Sequence, residues 1–114
     1  MLVLSANLNY YLFNGNVDLR KGIFRLCESI REDMSLDPSD ASNVYMFMSR
    51  NRKVVKILHY ERGCYVLYEK RPVMGKFKKP VFDEVSKCYR IQWSDMAYLT
   101  ESIVVDKMYV SPKY

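Results

Sequence analysis

Residues 44–71 read VYMFMSRNRKVVKILHYERGCYVLYEKR, and this stretch decides the fold class. Val44–Met48, Val54–Glu61 and Cys64–Arg71 are rich in Val, Ile, Tyr and Phe and are separated by short polar joints, the pattern of a β-meander. The joint Glu61-Arg62-Gly63 predicts a three-residue hairpin loop with Gly63 in the left-handed position. That loop sets Tyr60 opposite Cys64, Leu58 opposite Val66, Lys56 opposite Tyr68 and Val54 opposite Lys70. On the other face His59 meets Tyr65 and Ile57 meets Leu67. Both faces are then substantially apolar, so these strands are expected to be central and covered on both sides.

Upstream, the hydrophobic period is helical. Ile23, Leu26, Cys27, Ile30 and Met34 make one apolar stripe, Asp18 supplies an N-cap and Asp37-Pro38-Ser39-Asp40 a stop, which predicts a helix over 18–34. Before it, Leu8, Tyr10 and Leu12 alternate with Asn7, Asn9 and Phe13 as in a strand, and Asn14-Gly15-Asn16 reads as a turn. Downstream, a further strand pair is expected around Lys76–Val81 and Lys87–Ile91. Ser94 reads as the N-cap of a short last helix with Met96, Leu99 and Ile103 on one face. The expected fold is therefore α+β: one antiparallel meander sheet, an N-terminal-half helix packed on it and a short C-terminal helix. Ile23, Leu26, Ile30, Ile57, Leu58, Val66 and Leu67 should be buried.

The chain has 114 residues, 49% hydrophobic and 27% charged, which suits a single domain over 1–114 with a core at 7–103 and a loosely held tail at 104–114. Apolar runs of only a few residues, such as Leu2-Val3-Leu4, argue against a membrane span, and the first residues lack the pattern of an export signal. Cys27, Cys64 and Cys88 show no CxxC and no metal-ligand spacing, so they read as reduced thiols of a cytoplasmic protein.

Catalytic chemistry finds little to work with. His59 is the only histidine and, on the expected register, is a packed strand residue between Tyr65 and Ile57. The carboxylates do not form the spaced set that two-metal phosphoryl transfer requires, and no phosphate-binding glycine loop is present. The chain reads as a non-enzyme without cofactor or metal. Charge is more informative. The net charge is +5, yet residues 50–90 alone hold twelve Lys and Arg against four Asp and Glu, while both flanks are net acidic. The phosphate-contact candidates are Arg50, Arg52 and Lys53 in one joint, Lys76, Lys78 and Lys79 in another, and Lys56, Lys70 and Arg71 on or beside the strands. On the expected register Lys56 and Lys70 flank Tyr68 on one face, with Tyr60 further along it, a cation–aromatic arrangement suited to single-stranded nucleic acid. Arg20 and Lys21 sit in the first turn of the expected helix, where cations oppose its dipole, and are candidates for a partner contact.

Several short motifs also resemble those of a known family. Val17-Asp18-Leu19-Arg20-Lys21-Gly22-Ile23 opens the helix, Asp37-Pro38 precedes Val44-Tyr45-Met46-Phe47, and Arg50-Asn51-Arg52-Lys53 precedes Val55-Lys56-Ile57-Leu58. Gly63-Cys64-Tyr65, Leu67-Tyr68, Lys70-Arg71 and Gly75-Lys76-Phe77 before Pro80 follow in order. Together these resemble the TnpB (Orf2-like) accessory-protein family of IS66-type insertion sequences. His59, Pro72, Lys79 and Glu101-Ser102 depart from its pattern. The resemblance implies a role in transposition beside a separate DDE-type transposase and other proteins of the same element. Two readings follow: a DNA-binding accessory module, supported by the basic middle third, or a protein-interaction module that touches no DNA, supported by the abundance of Tyr and Met.

Overall fold

Strands that are apolar on both pleat faces need a cover on each side. The chain provides one layer from the segment before the meander and one from the segment after it. The computed structural model describes residues 7–14, 18–20, 22–82, 86–101 and 103–104. Its elements are β1 (Asn9–Phe13), α1 (Ile23–Asp33), β2 (Asn43–Met48), β3 (Val55–Glu61), β4 (Cys64–Lys70), β5 (Lys76–Phe77), β6 (Cys88–Ile91), α2 (Trp93–Glu101) and β7 (Ile103–Val104). The main sheet has the order β4-β3-β2-β1-β6, and β5 pairs with β7 in a separate two-stranded ribbon.

The α+β class and the β2–β3–β4 meander are as expected. The sheet is mixed rather than wholly antiparallel, because β1 and β2 run parallel, from Asn9 opposite Asn43 to Leu12 opposite Met46. A tight hairpin cannot make that pairing, whereas the long connection through α1 can. The expected pairing of Lys76–Val81 with Lys87–Ile91 does not form. β6 instead runs antiparallel to β1, and β5 is taken by β7. Ile103 accordingly lies in β7 and is exposed, not on the last helix.

The β3–β4 register is also shifted by one from the expectation. Glu61 faces Cys64, Leu58 faces Leu67 and Lys56 faces Glu69. The loop therefore has two residues, Arg62 and Gly63, with φ of +50° and +80°. Positive φ at both central positions gives a mirror-image turn whose twist matches that of the strands it joins. The slip carries each β4 side chain to the opposite face from the one expected.

α1 buries Leu26, Cys27 and Ile30 completely, with Met34 nearly so, against Phe13, Tyr45, Phe47 and Leu58. Ile23 is only half-buried. The helix begins later than the sequence suggests because Asp18 is engaged elsewhere. Its carboxylate accepts the Arg20 backbone N–H at 3.0 Å and the Arg20 guanidinium at 3.0 Å, and Gly22 occupies the N-cap without a side-chain bond. The helix ends at Asp33, one residue short of the expectation, and Ser35 with φ +55° follows, where the Leu36 N–H bonds back to the Ile30 carbonyl. The second face buries Tyr10, Leu12, Val44, Met46, Val55 and Ile57 under Phe77 and Met96. α2 starts one residue before Ser94, and the Asp95 carboxylate accepts the Gln92 N–H at 3.1 Å. Val66 and Leu67, expected to be buried, are half-buried because β4 is an edge strand. The expected turn at Gly15-Asn16, residue Lys21 and the tail from 105 lie outside the described residues.

Two polar constructions hold the ends of β2. At its start, the Tyr45 hydroxyl donates to the Asp37 carbonyl at 2.7 Å and accepts from the Asn43 side-chain amide at 3.1 Å. At its end, the Ser49 hydroxyl organises the β2–β3 loop: it donates to Asn51 Oδ1 at 2.8 Å and accepts the backbone N–H groups of Lys53 at 3.2 Å and Val54 at 3.0 Å. Burial pushes the Tyr45 hydroxyl up to about 12. The unfolded phenol ionises near its ordinary value of 10. Stability due to this group is therefore complete below pH 10 and is lost as pH rises through 12, by at most about 3 kcal/mol. Tyr45→Phe should cost about 1–3 kcal/mol at neutral pH through its two lost hydrogen bonds, and should flatten this alkaline limb in chemical denaturation at a series of pH values. Ser49→Ala should cost about 1 kcal/mol in the same assay and speed amide exchange at Lys53 and Val54.

Candidate nucleic-acid interface

The two basic joints meet because of one backbone bond. The Phe77 N–H donates to the Arg52 carbonyl at 2.8 Å, and the Phe77 ring is fully buried under the second face of the sheet. This places Lys79 beside Arg50 and Arg52 around a cavity of about 430 Å³, at the C-terminal ends of β1 and β2. Phe13, Met48 and Phe82 complete its apolar wall, and no carboxylate lines it among the described residues. The crevice beyond the carboxyl ends of parallel strands is where open sheets commonly bind ligands.

Two further cavities share lining residues with this one. Ser49 and Arg50 are shared with a cleft of about 550 Å³ that also contains Arg20, Lys56 and Arg71. Leu12, Lys79, Pro80 and Phe82 are shared with a cleft of about 580 Å³ that contains Lys78, Tyr89 and Tyr98. Seven of the residues singled out in the sequence thus lie along one winding groove. Lys53, Lys70 and Lys76 do not line these three cavities, and Lys21 falls outside the described residues.

Charge along the groove is graded. In the Arg20–Arg71 cleft most cations are already matched. Arg20 pairs with Asp18, whose hydrogen bond holds the guanidinium above its ordinary pKa. Arg71 bonds Glu69 at 2.7 Å, and buried Lys56 stands 3.6 Å from Glu69 while donating to the Leu19 carbonyl. The Arg71 hydrogen bond, with Lys56 assisting, keeps the Glu69 carboxyl below the usual range. Lys78 donates to the Tyr98 hydroxyl at 3.0 Å, which raises its pKa. Arg50, Arg52 and Lys79, by contrast, surround a cavity with no carboxylate in its described lining.

The cation–aromatic stripe expected on the sheet is not formed. With the register slipped, Lys56 and Tyr60 lie on the α1 face while Tyr68 and Lys70 lie on the other. Aromatic rings instead gather beside Lys78 and Lys79, where Phe82 stacks on Tyr89 with centroids 4.2 Å apart. Nothing in the sequence signals this cluster, because Phe82, Tyr89 and Tyr98 share no periodicity. His59 is buried in β3, with Nε2 3.0 Å from the Ala41 carbonyl and Nδ1 3.9 Å from Glu61. Burial pushes the thiols of Cys27 and Cys88 up, away from the reactive thiolate form. Among the described residues no group of three or more His, Cys, Asp and Glu is placed to hold a metal, and no helix is long and apolar enough to cross a membrane.

Neither a curated protein nor a solved structure matches the chain. A family model described as IS66 Orf2 like protein matches residues 8–109, nearly all of the 114-residue sequence. That span includes Arg20, Arg50, Arg52 and Lys79, which line the two basic cavities. The chain belongs to the IS66 Orf2-like family of insertion-sequence accessory proteins.

Proposed function

We propose that the protein assists transposition by gripping DNA along the basic groove, without catalysing strand cleavage or joining itself. In this reading a separate DDE-type transposase of the same element performs the chemistry, and this chain works beside it in the cytoplasm. The observation that carries the proposal is the convergence of Arg50, Arg52 and Lys79 on a cavity with no carboxylate in its described lining. Phosphate oxygens fit such a site, since clustered cations gain affinity by replacing the counterions of DNA.

The backbone of the loop supports the same reading. Arg52 adopts φ +60°, a conformation that costs a residue with a Cβ about 1–2 kcal/mol relative to glycine. Gly or Asn would meet the turn at lower cost, so the arginine stands there at a cost in stability, in keeping with a role for its side chain.

The alternative, a module that docks on the transposase and leaves DNA alone, draws on exposed apolar residues such as Phe24, Val73 and Val81. Salt separates the two. Three phosphate contacts predict that the logarithm of affinity for generic duplex DNA falls with the logarithm of salt with slope about −3. Replacing Arg50, Arg52 and Lys79 together by Ala should flatten that slope by about two to three units, with little change in thermal stability. A slope unchanged by the triple substitution, or no affinity at low salt combined with salt-resistant binding to the transposase, would replace the DNA reading with the docking one.

A further inference from the structure

The cleft of about 580 Å³ beside the basic cavity is of a size that takes a small ligand. Its composition differs from that of the phosphate groove it adjoins. One wall is the Phe82–Tyr89 stack, with ring planes 18° apart, held further by the Ser86 N–H donating to the Tyr89 hydroxyl at 2.9 Å. Tyr98 on α2 lines the same cleft, is 55% exposed and receives the Lys78 ammonium on its hydroxyl. Lys79 stands at the passage shared with the Arg50–Arg52 cavity. Asp95 is the one carboxylate among the described lining residues, and it is occupied in capping the Gln92 N–H. Arg90 also lines the cleft, with its guanidinium bonded to Asn9 Oδ1 at 2.7 Å.

Aromatic faces next to cations are the physical requirement for holding an unstacked base beside its phosphate. A base in an intact duplex offers only its edge, whereas an unpaired base can stack its face on an aromatic ring. We propose that this cleft receives an unpaired base of single-stranded DNA, with the adjoining phosphates carried by Lys79 and the Arg50–Arg52 loop. The inference rests on the DNA-gripping reading and adds to it a preference for strands that are open.

Fluorescence anisotropy with a labelled short oligo(dT), and with a duplex of the same length, tests both levels separately. The wild-type chain should bind both forms. Tyr98→Ala should weaken oligo(dT) binding by about tenfold, the scale of one lost base–ring contact, and duplex binding by less than about twofold. Tyr98→Phe keeps the ring and should keep the single-strand affinity, while Lys79→Ala should weaken both forms. An oligonucleotide carrying 2-aminopurine should be quenched on binding by the wild type and the Phe variant, and not by the Ala variant. The far-ultraviolet circular dichroism of all variants should match, because Tyr98 is largely exposed. Equal losses for both DNA forms, or oligo(dT) binding unaffected by Tyr98→Ala, would overturn the base-binding cleft. Duplex binding without oligo(dT) binding would also overturn it and leave the groove reading standing. Failure to bind either form would overturn both.

Discussion

The arrangement turns on Phe77. Its ring is completely enclosed under the second face of the sheet, and its N–H is held by the Arg52 carbonyl 25 residues upstream. Enclosing a phenylalanine contributes about 1.5–3 kcal/mol, and the backbone bond about another 1 kcal/mol. Those modest energies fix a segment whose only regular structure is a two-residue strand. Without them Lys78, Lys79 and Phe82 would have no defined position relative to Arg50 and Arg52, and there would be no groove.

The same anchor explains how a thin sheet is insulated on both sides. α1 covers one face through Leu26, Cys27 and Ile30, an arrangement that any 3.6-residue period can supply. The other face is covered piecemeal by Phe77, Met96 and the half-buried Phe82 and Leu99, which come from separate short elements. Such a cover leaves clefts at its seams, and the seams are lined by whatever the short elements carry. Here they carry lysines and aromatic rings. A continuous second helix would have packed the face tightly and left no room for a ligand.

Electrostatics then divides the groove by function. Where the sheet meets α1, Asp18 and Glu69 match Arg20, Arg71 and Lys56. The exposed Arg20–Asp18 and Arg71–Glu69 pairs contribute little to stability, so their main effect is to lower the local positive potential. At the C-terminal ends of β1 and β2 no such match is present among the described residues. The formal charge of +5 is thus a poor guide to where an anion would settle, and the placement of the acids is a better one.

What could be read from the residues follows from the range of the forces involved. The α1 stripe and the meander were legible because their periods are local, and Leu26, Ile30, Ile57 and Leu58 are buried as the pattern demands. The β3–β4 register was not, since Arg62-Gly63 and Glu61-Arg62-Gly63 are both acceptable turns and a single residue decides which face every side chain takes. The parallel pairing of β1 with β2 and the two-residue strands leave no periodic trace at all. The basic candidates were correctly typed as cations, but their convergence depends on the contact between Arg52 and Phe77, which no local pattern announces. Native-state hydrogen exchange at the Phe77 amide tests that contact most directly. It should be protected to nearly the same degree as the central β3 amides such as Leu58, opening only when the sheet does. Exchange at the rate of the exposed Val73 amide, with β3 still protected, would mean that the segment is not anchored and that the groove has no fixed form.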